Sequence, residues 1–228
     1  KIYFSYYNFS NTGLEIINLF SGIDDTTIIS PIGSHHYQLG FVNLDGTEHL
    51  SYYNGTDTSG KLQYSTINLE TGLWGATTVD ESSTKTGLYS DIDLDSYGNP
   101  HISYFDSTNN KIKYAYYDSS SWVISDVATV GENSGYTSIV INSINRPNIA
   151  YHDSTTGDLM MAKWDGNSWT ILAQDEGSAG LGTDISVDNT DMIFISYYDE
   201  TTDDLEFVTT GYESPILTGN SYYHISGT

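Results

Sequence analysis

Apolar and polar residues alternate along this chain in short bursts, and one burst recurs five times. Phe4-Ser5-Tyr6-Tyr7-Asn8, Leu50-Ser51-Tyr52-Tyr53-Asn54, Ile102-Ser103-Tyr104-Phe105-Asp106, Ile149-Ala150-Tyr151-His152-Asp153 and Ile195-Ser196-Tyr197-Tyr198-Asp199 share one order: apolar, small, tyrosine, ring, Asn or Asp. Their first tyrosines lie 46 to 52 residues apart. After each comes a polar turn and a second apolar segment: Leu14-Glu15-Ile16, Leu62-Gln63-Tyr64, Ile112-Lys113-Tyr114, Leu159-Met160-Met161 and Leu205-Glu206-Phe207. A third segment carries Trp74, Trp122 or Trp169, and a fourth precedes the motif at 89–95, 136–142 and 182–188. Alternation with a period of two is the signature of a strand, whose successive side chains point to opposite faces. Asp45-Gly46-Thr47, Gly98-Asn99-Pro100 and Asn145-Arg146-Pro147 supply the turn chemistry between the fourth kind of segment and the motif.

Four short strands in every 40 to 50 residues or so is the pattern of a propeller blade. The expected fold is all-β: a single domain over 1–228 forming a five-bladed β-propeller of four-stranded blades. The blades are expected at about 34–80, 87–130, 135–175 and 182–219, with a fifth built from 220–228 together with 1–31. The chain enters directly in the motif strand, and 220–226 aligns with the inner strands through Tyr222 against Tyr89 and Tyr136. The C-terminal strand is therefore predicted to pair with the N-terminal blade and close the ring, removing the exposed edges of an open array.

With five repeats of this size, the chain resembles the five-bladed propeller lectins of the tachylectin kind. It also resembles, more distantly, the Asp-box propellers of sialidases: Asp118-Ser119-Ser120-Ser121-Trp122 and Asp165-Gly166-Asn167-Ser168-Trp169 stand where that turn falls, each one residue short. The resemblance implies carbohydrate binding. It does not extend to sialidase chemistry, because Arg146 is the only arginine and those enzymes hold their substrate carboxylate with several.

Thirty acidic residues against seven basic ones give a net charge of -23, and there is no cysteine. Such a chain has no basic patch for nucleic-acid phosphates or anionic lipid, and no disulfide, thiolate metal site or cysteine nucleophile. Its apolar runs are far too short to cross a bilayer as a helix. Twenty tyrosines with abundant Ser, Thr, Asn and Gly and little Lys suggest an extracellular or cell-surface location.

Three groups of residues are candidates for chemistry. Tyr37, Tyr89, Tyr136 and Tyr222, with Gly182 in the fifth position, are predicted at the mouth of the central channel, where tyrosine rings suit stacking on a pyranose. The last residue of the motif, Asp106, Asp153 or Asp199 in three blades, is predicted on the same face. There it would offer oxygen ligands to sugar hydroxyls or Ca²⁺, or fold back as an Asx-turn opening the hairpin. Two residues beyond the tyrosines lie Leu39, Asp91, Ser138, Asp184 and His224. Ring closure would bring Asp184 and His224 together, so Asp91, Asp184 and His224 are the catalytic candidates if the chain hydrolyses glycosides, a reaction that needs two carboxylates. His35 and His36 are surface polar residues on this reading. The leading expectation is a monomeric, noncatalytic binding module, lectin-like or adhesive, with a carbohydrate or surface-protein ligand. The alternatives are a small glycoside hydrolase and a protein-interaction platform of a larger surface protein.

Overall fold

A computed structural model of the chain describes residues 3–8, 13–18, 27–31, 40–44, 47–68, 73–210 and 221–224, with side chains from 47 to 66 and from 74 to 210. The described residues contain strands and turns and no helix. The first sheet has three strands, β1 (Tyr3–Asn8), β2 (Gly13–Asn18) and β3 (Thr27–Pro31). Four four-stranded sheets follow. They are β4 (Gly40–Leu44) to β7 (Leu73–Asp80) through β5 (Thr47–Gly55) and β6 (Gly60–Asn68), and β8 (Thr86–Leu94) to β11 (Trp122–Thr129) through β9 (Pro100–Asp106) and β10 (Lys111–Tyr117). The next is β12 (Gly135–Ile141) to β15 (Trp169–Asp175) through β13 (Pro147–Asp153) and β14 (Asp158–Trp164). The last holds β16 (Ala179–Val187), β17 (Ile193–Asp199), β18 (Asp204–Thr210) and β19 (Ser221–His224). Strands pair in chain order as antiparallel neighbours within every sheet.

The near-continuous apolar character of the motif strand follows from its place in the stack. All seven residues of β9 are buried, because a central strand between two neighbouring sheets is covered on both faces, as parallel-sheet strands are. Ile102 and Tyr104 pack with Leu62 and Val79 of the preceding sheet. Phe105, on the other face, joins Ile139, Ile149 and Tyr151 of the following one. The small second residue of the motif is fully buried as Ser51, Ser103 and Ala150. Ser103 donates to the Thr137 hydroxyl of the next sheet at 3.0 Å, an approach that a larger side chain would block. Successive innermost strands β4, β8, β12 and β16 lie against one another and position the candidate site.

The C-terminal strand departs from expectation. Ser221–His224 pairs with β18, matching Val208 to Tyr222 and Glu206 to His224, and becomes the outer strand of the last sheet. It does not join β1. The reason lies in an edge: the outer N–H and C=O groups of β18 need partners, and the alternating segment Ser221–His224 supplies them.

Candidate functional site

The inner strands begin with a repeated backbone feature that the sequence does not announce. Tyr89 and Tyr136 both have left-handed backbone, with φ of 51° and 49°, a conformation rare for bulky residues and stored at sites the surrounding structure over-determines. Gly182, at the same place in the next sheet, has φ 61°. The glycine at the fifth position thus supplies without strain the backbone that two tyrosines adopt at a cost. A side chain there would meet nothing within 4 Å among the described residues.

The two tyrosines are half-buried and their ring centroids stand 4.7 Å apart at 33°. Gly135 makes this possible: a Cβ on it would lie 2.3 Å from Tyr89 Cδ2. The edge of the pair is closed by His152, whose ring sits 6.5 Å from that of Tyr136 in a T-shaped contact, and by Thr137, which donates to the Tyr89 carbonyl at 2.6 Å. Gly135, Thr137 and His152 were not singled out as site residues from the sequence; the glycine before Tyr136 was the only signal. Tyr37 lies outside the described residues. Tyr222 falls in β19 at the outer edge of the last sheet, away from the inner strands that carry Tyr89 and Tyr136.

Asp91 and Asp184 are brought together, through Ser138. The Ser138 hydroxyl stands 2.7 Å from Asp91 Oδ2 and 3.3 Å from Asp184 Oδ1. Asp91 also accepts the Ile139 N–H at 2.9 Å and the Ile92 N–H at 2.9 Å. Burial pushes its carboxyl up to about 6 against the opposing effect of these hydrogen bonds, and the nearby Asp184 charge adds to the rise. Asp93 repeats the arrangement, accepting the Ile141 N–H at 2.7 Å, and burial raises its pKa too. Ser138 in turn accepts the Ile185 N–H at 3.3 Å. These side-chain oxygens stitch β8 to the backbone of β12 and β12 to that of β16. His224 does not meet Asp184: it is in register with Glu206 on the outer edge, three strands away from β16. The expected Asp184–His224 pair is absent because the C-terminal strand completes the last sheet on its outer side.

Asp106, Asp153 and Asp199 sit in separate hairpin turns. Asp106 accepts the Thr108 N–H at 3.1 Å and the Ser83 hydroxyl at 2.7 Å, and its other oxygen takes the Asn109 side-chain N–H at 2.9 Å. Asp153 accepts from Thr155 N–H at 2.9 Å and from Gly131 N–H at 3.2 Å, and Asp199 from Thr201 N–H at 2.6 Å. The motif acids thus cap their own turns, and two of them also hold the loop entering their own sheet. Among the described residues, one group of three acids brings its oxygens close enough to share a cation. Asp175, Asp199 and Glu206 place one ligand atom each within 4.8 Å of one another. Tyr197 donates into it, 2.6 Å from Asp175 Oδ2. The corresponding place between β7 and β10 holds Lys113, whose ammonium lies 2.7 Å from Asp80 Oδ2 beside the Tyr104 hydroxyl.

Comparison with known proteins places this geometry in a fold class. No protein-family model matches the chain, and no curated protein resembles it in sequence. Solved structures match it in fold. The six-bladed β-propeller fucose lectin of Aleuria aurantia is 16% identical, with 97% of this chain covering 76% of that one at a TM-score of 0.65. An AofleA variant from Arthrobotrys oligospora is 13% identical, with 98% of this chain covering 69% of that one at 0.64. A polysaccharide lyase of the ulvan lyase family is 14% identical at a TM-score of 0.52, with 75% of this chain covered. The chain spans about half the length of that lyase. A xylan β-1,4-xylosidase from Bacillus halodurans is 9% identical, with 93% of this chain covering 51% of that one at 0.55. At these identities the likeness is one of fold, and that fold is a propeller of repeated antiparallel sheets.

Proposed function

We propose that the chain is a noncatalytic, carbohydrate-binding propeller of five sheets, displayed outside the cell, with its ligand face at the entrance of the inner strands. The observation that carries this reading is the half-buried Tyr89–Tyr136 pair, held in left-handed backbone, with no described atom within 4 Å of a Cβ placed on Gly182 of the following sheet. A rigid aromatic platform offers an apolar face to a sugar ring while its hydroxyls reach water or sugar oxygens. The fold likeness to a fucose lectin supports the same reading. On a glycan array including fucosylated sugars, the chain should bind a subset of glycans. Tyr136→Ala should weaken that binding by roughly fivefold or more, taking about 1–3 kcal/mol for the loss of one stacking ring. Absence of binding to every glycan, with and without Ca²⁺, would remove the reading.

A glycoside hydrolase is the second reading, favoured by one arrangement: a buried carboxyl, pushed up to about 6, linked through Ser138 to a second acid. Against it, both Asp91 oxygens already accept backbone N–H groups. Aryl glycosides left intact by the chain, or hydrolysed equally well by Asp91→Asn, would dismiss it.

A further inference from the structure

Three seams between consecutive sheets can be compared at two positions: one near the end of an outer strand, the other paired with the motif tyrosine of the following sheet. In the first seam Asp80 ends β7 and the answering residue is Lys113, paired with Tyr104. Its ammonium lies 2.7 Å from Asp80 Oδ2 and 4.0 Å from Oδ2 of the motif acid Asp106. In the second seam Ala128 stands in the register position of Asp80, and Met160, paired with Tyr151, in that of Lys113. Both pack against the same apolar cluster, so an acid is met by a base and an apolar residue by another. The third seam departs from this balance. Asp175 stands in the place of Asp80, and Glu206, paired with Tyr197, in that of Lys113. The motif acid there, Asp199, is 7% exposed. Its Oδ1 takes the N–H groups of Thr201 and Thr202, and its Oδ2 accepts no hydrogen bond among the described residues. Nor, among those residues, does any ammonium, guanidinium or imidazole stand within 4 Å of Asp175 or Asp199. Carboxylates gathered away from water need an opposite charge.

We infer that Asp175, Asp199 and Glu206 bind Ca²⁺, at the place where Lys113 puts its ammonium in the first seam. Two observations beyond the gathering of acids point to a cation: the corresponding carboxylates Asp80 and Asp106 already hold one, and the buried Asp199 keeps an oxygen without a donor. The size of the group selects the ion. Three oxygens no more than 4.8 Å apart share a point within about 2.8 Å of each, near the roughly 2.3–2.6 Å of calcium contacts and far from the roughly 2.1 Å that Mg²⁺ demands. A donor set made of carboxylate oxygens alone suits such a hard cation and not zinc or copper. Asp175 and Glu206 are partly exposed, so water can enter and complete the coordination. Tyr197 is the positioning residue. Its buried hydroxyl lies 2.6 Å from Asp175 Oδ2 and 3.2 Å from Glu206 Oε2, as that of Tyr104 lies 2.7 Å from Asp80 Oδ2. The inference stands whether or not the tyrosine platform binds sugar.

Calcium chloride alone is the probe. Protein dialysed against EDTA and held in about 0.15 M sodium chloride, so that general screening is constant, should show saturable binding of one Ca²⁺ by titration calorimetry. At about a hundred times the dissociation constant, Ca²⁺ should raise the melting temperature by about 5 °C or more. Glu206→Lys rebuilds the arrangement around Lys113: it should lose at least about tenfold in Ca²⁺ affinity, and the thermal shift with it, yet melt in EDTA no lower than the native chain in EDTA. Asp175→Asn should lose affinity in the same way, whereas Glu132→Gln, at an exposed position on another loop, should keep both affinity and shift. No saturable binding, with equal melting in Ca²⁺ and EDTA, would overturn the proposal. So would a calcium response of equal size in the native chain and Glu206→Lys, which would mark adsorption to surface acids. A melting temperature insensitive to Ca²⁺ but falling between pH 5 and pH 8 in the native chain, and not in Glu206→Lys, would replace the metal by a shared proton.

Discussion

Lys113 reaches across the seam between two sheets to Asp80, both side chains almost wholly buried. Burial by itself would raise the Asp80 carboxyl, but the Lys113 ammonium, Ser82 and the Tyr104 hydroxyl outweigh it and hold the group at about 2. Its folded pKa thus lies below the unfolded value of about 4, so the group contributes stability above that pH and loses it as pH falls towards 2. Lys113→Met leaves a buried carboxylate without its counterion and should cost about 3–5 kcal/mol at pH 7. Urea unfolding at pH 7 and pH 3 checks both parts: a large loss at pH 7 and a smaller one at pH 3. An equal loss at both would mean that packing of the lysine stem, not charge, is what the residue provides. In the sequence Lys113 reads as the polar position of an alternating strand between Ile112 and Tyr114. Nothing local marks it as buried, because its partner lies 33 positions away in another repeat.

The inner strands are joined by acids that point at backbone. Asp91 and Asp93 of β8 accept the N–H groups of Ile139 and Ile141 of β12. Their raised pKa values have a sign opposite to that of Asp80. A carboxyl near 6 in the folded chain keeps its proton at pH 5, where the unfolded chain has released its own, so this contribution falls as pH rises from about 4 to 6. The stability difference between the native chain and Asp91→Asn should therefore change over that window and be flat above it. Thermal melts between pH 4 and pH 8 measure it, and a constant difference would place the Asp91 pKa in the ordinary range. The alignment of Asp91, Ser138 and Asp184 was visible as a repeat position. The roles of Asp91 and Ser138 as links to the next strand were not, since the N–H groups they meet belong to neighbouring repeats.

At the scale of the whole molecule, the charge of -23 opposes compaction. Most of this repulsion acts between exposed turn acids, where about 0.1 M salt screens beyond about 10 Å, whereas the buried Asp80–Lys113 pair is sheltered. Raising sodium chloride from about 10 to about 200 mM should raise the melting temperature of the native chain. A falling melting temperature would show that attractive surface pairs, such as Lys61 with Glu81, outweigh the repulsion. The sequence by itself determined the short strands of each repeat, the turns between them and their succession along the chain. Alternation and turn chemistry act over a few residues, and the motif Ile102-Ser103-Tyr104 carries them in every copy. The tertiary structure decided what no single repeat contains: that Asp106 closes its own turn, that Tyr89 stacks on Tyr136, and that Ser221–His224 pairs with β18. Those choices depend on which edges and faces remain unsatisfied once the sheets have formed, and that is set by contacts a whole repeat or more apart.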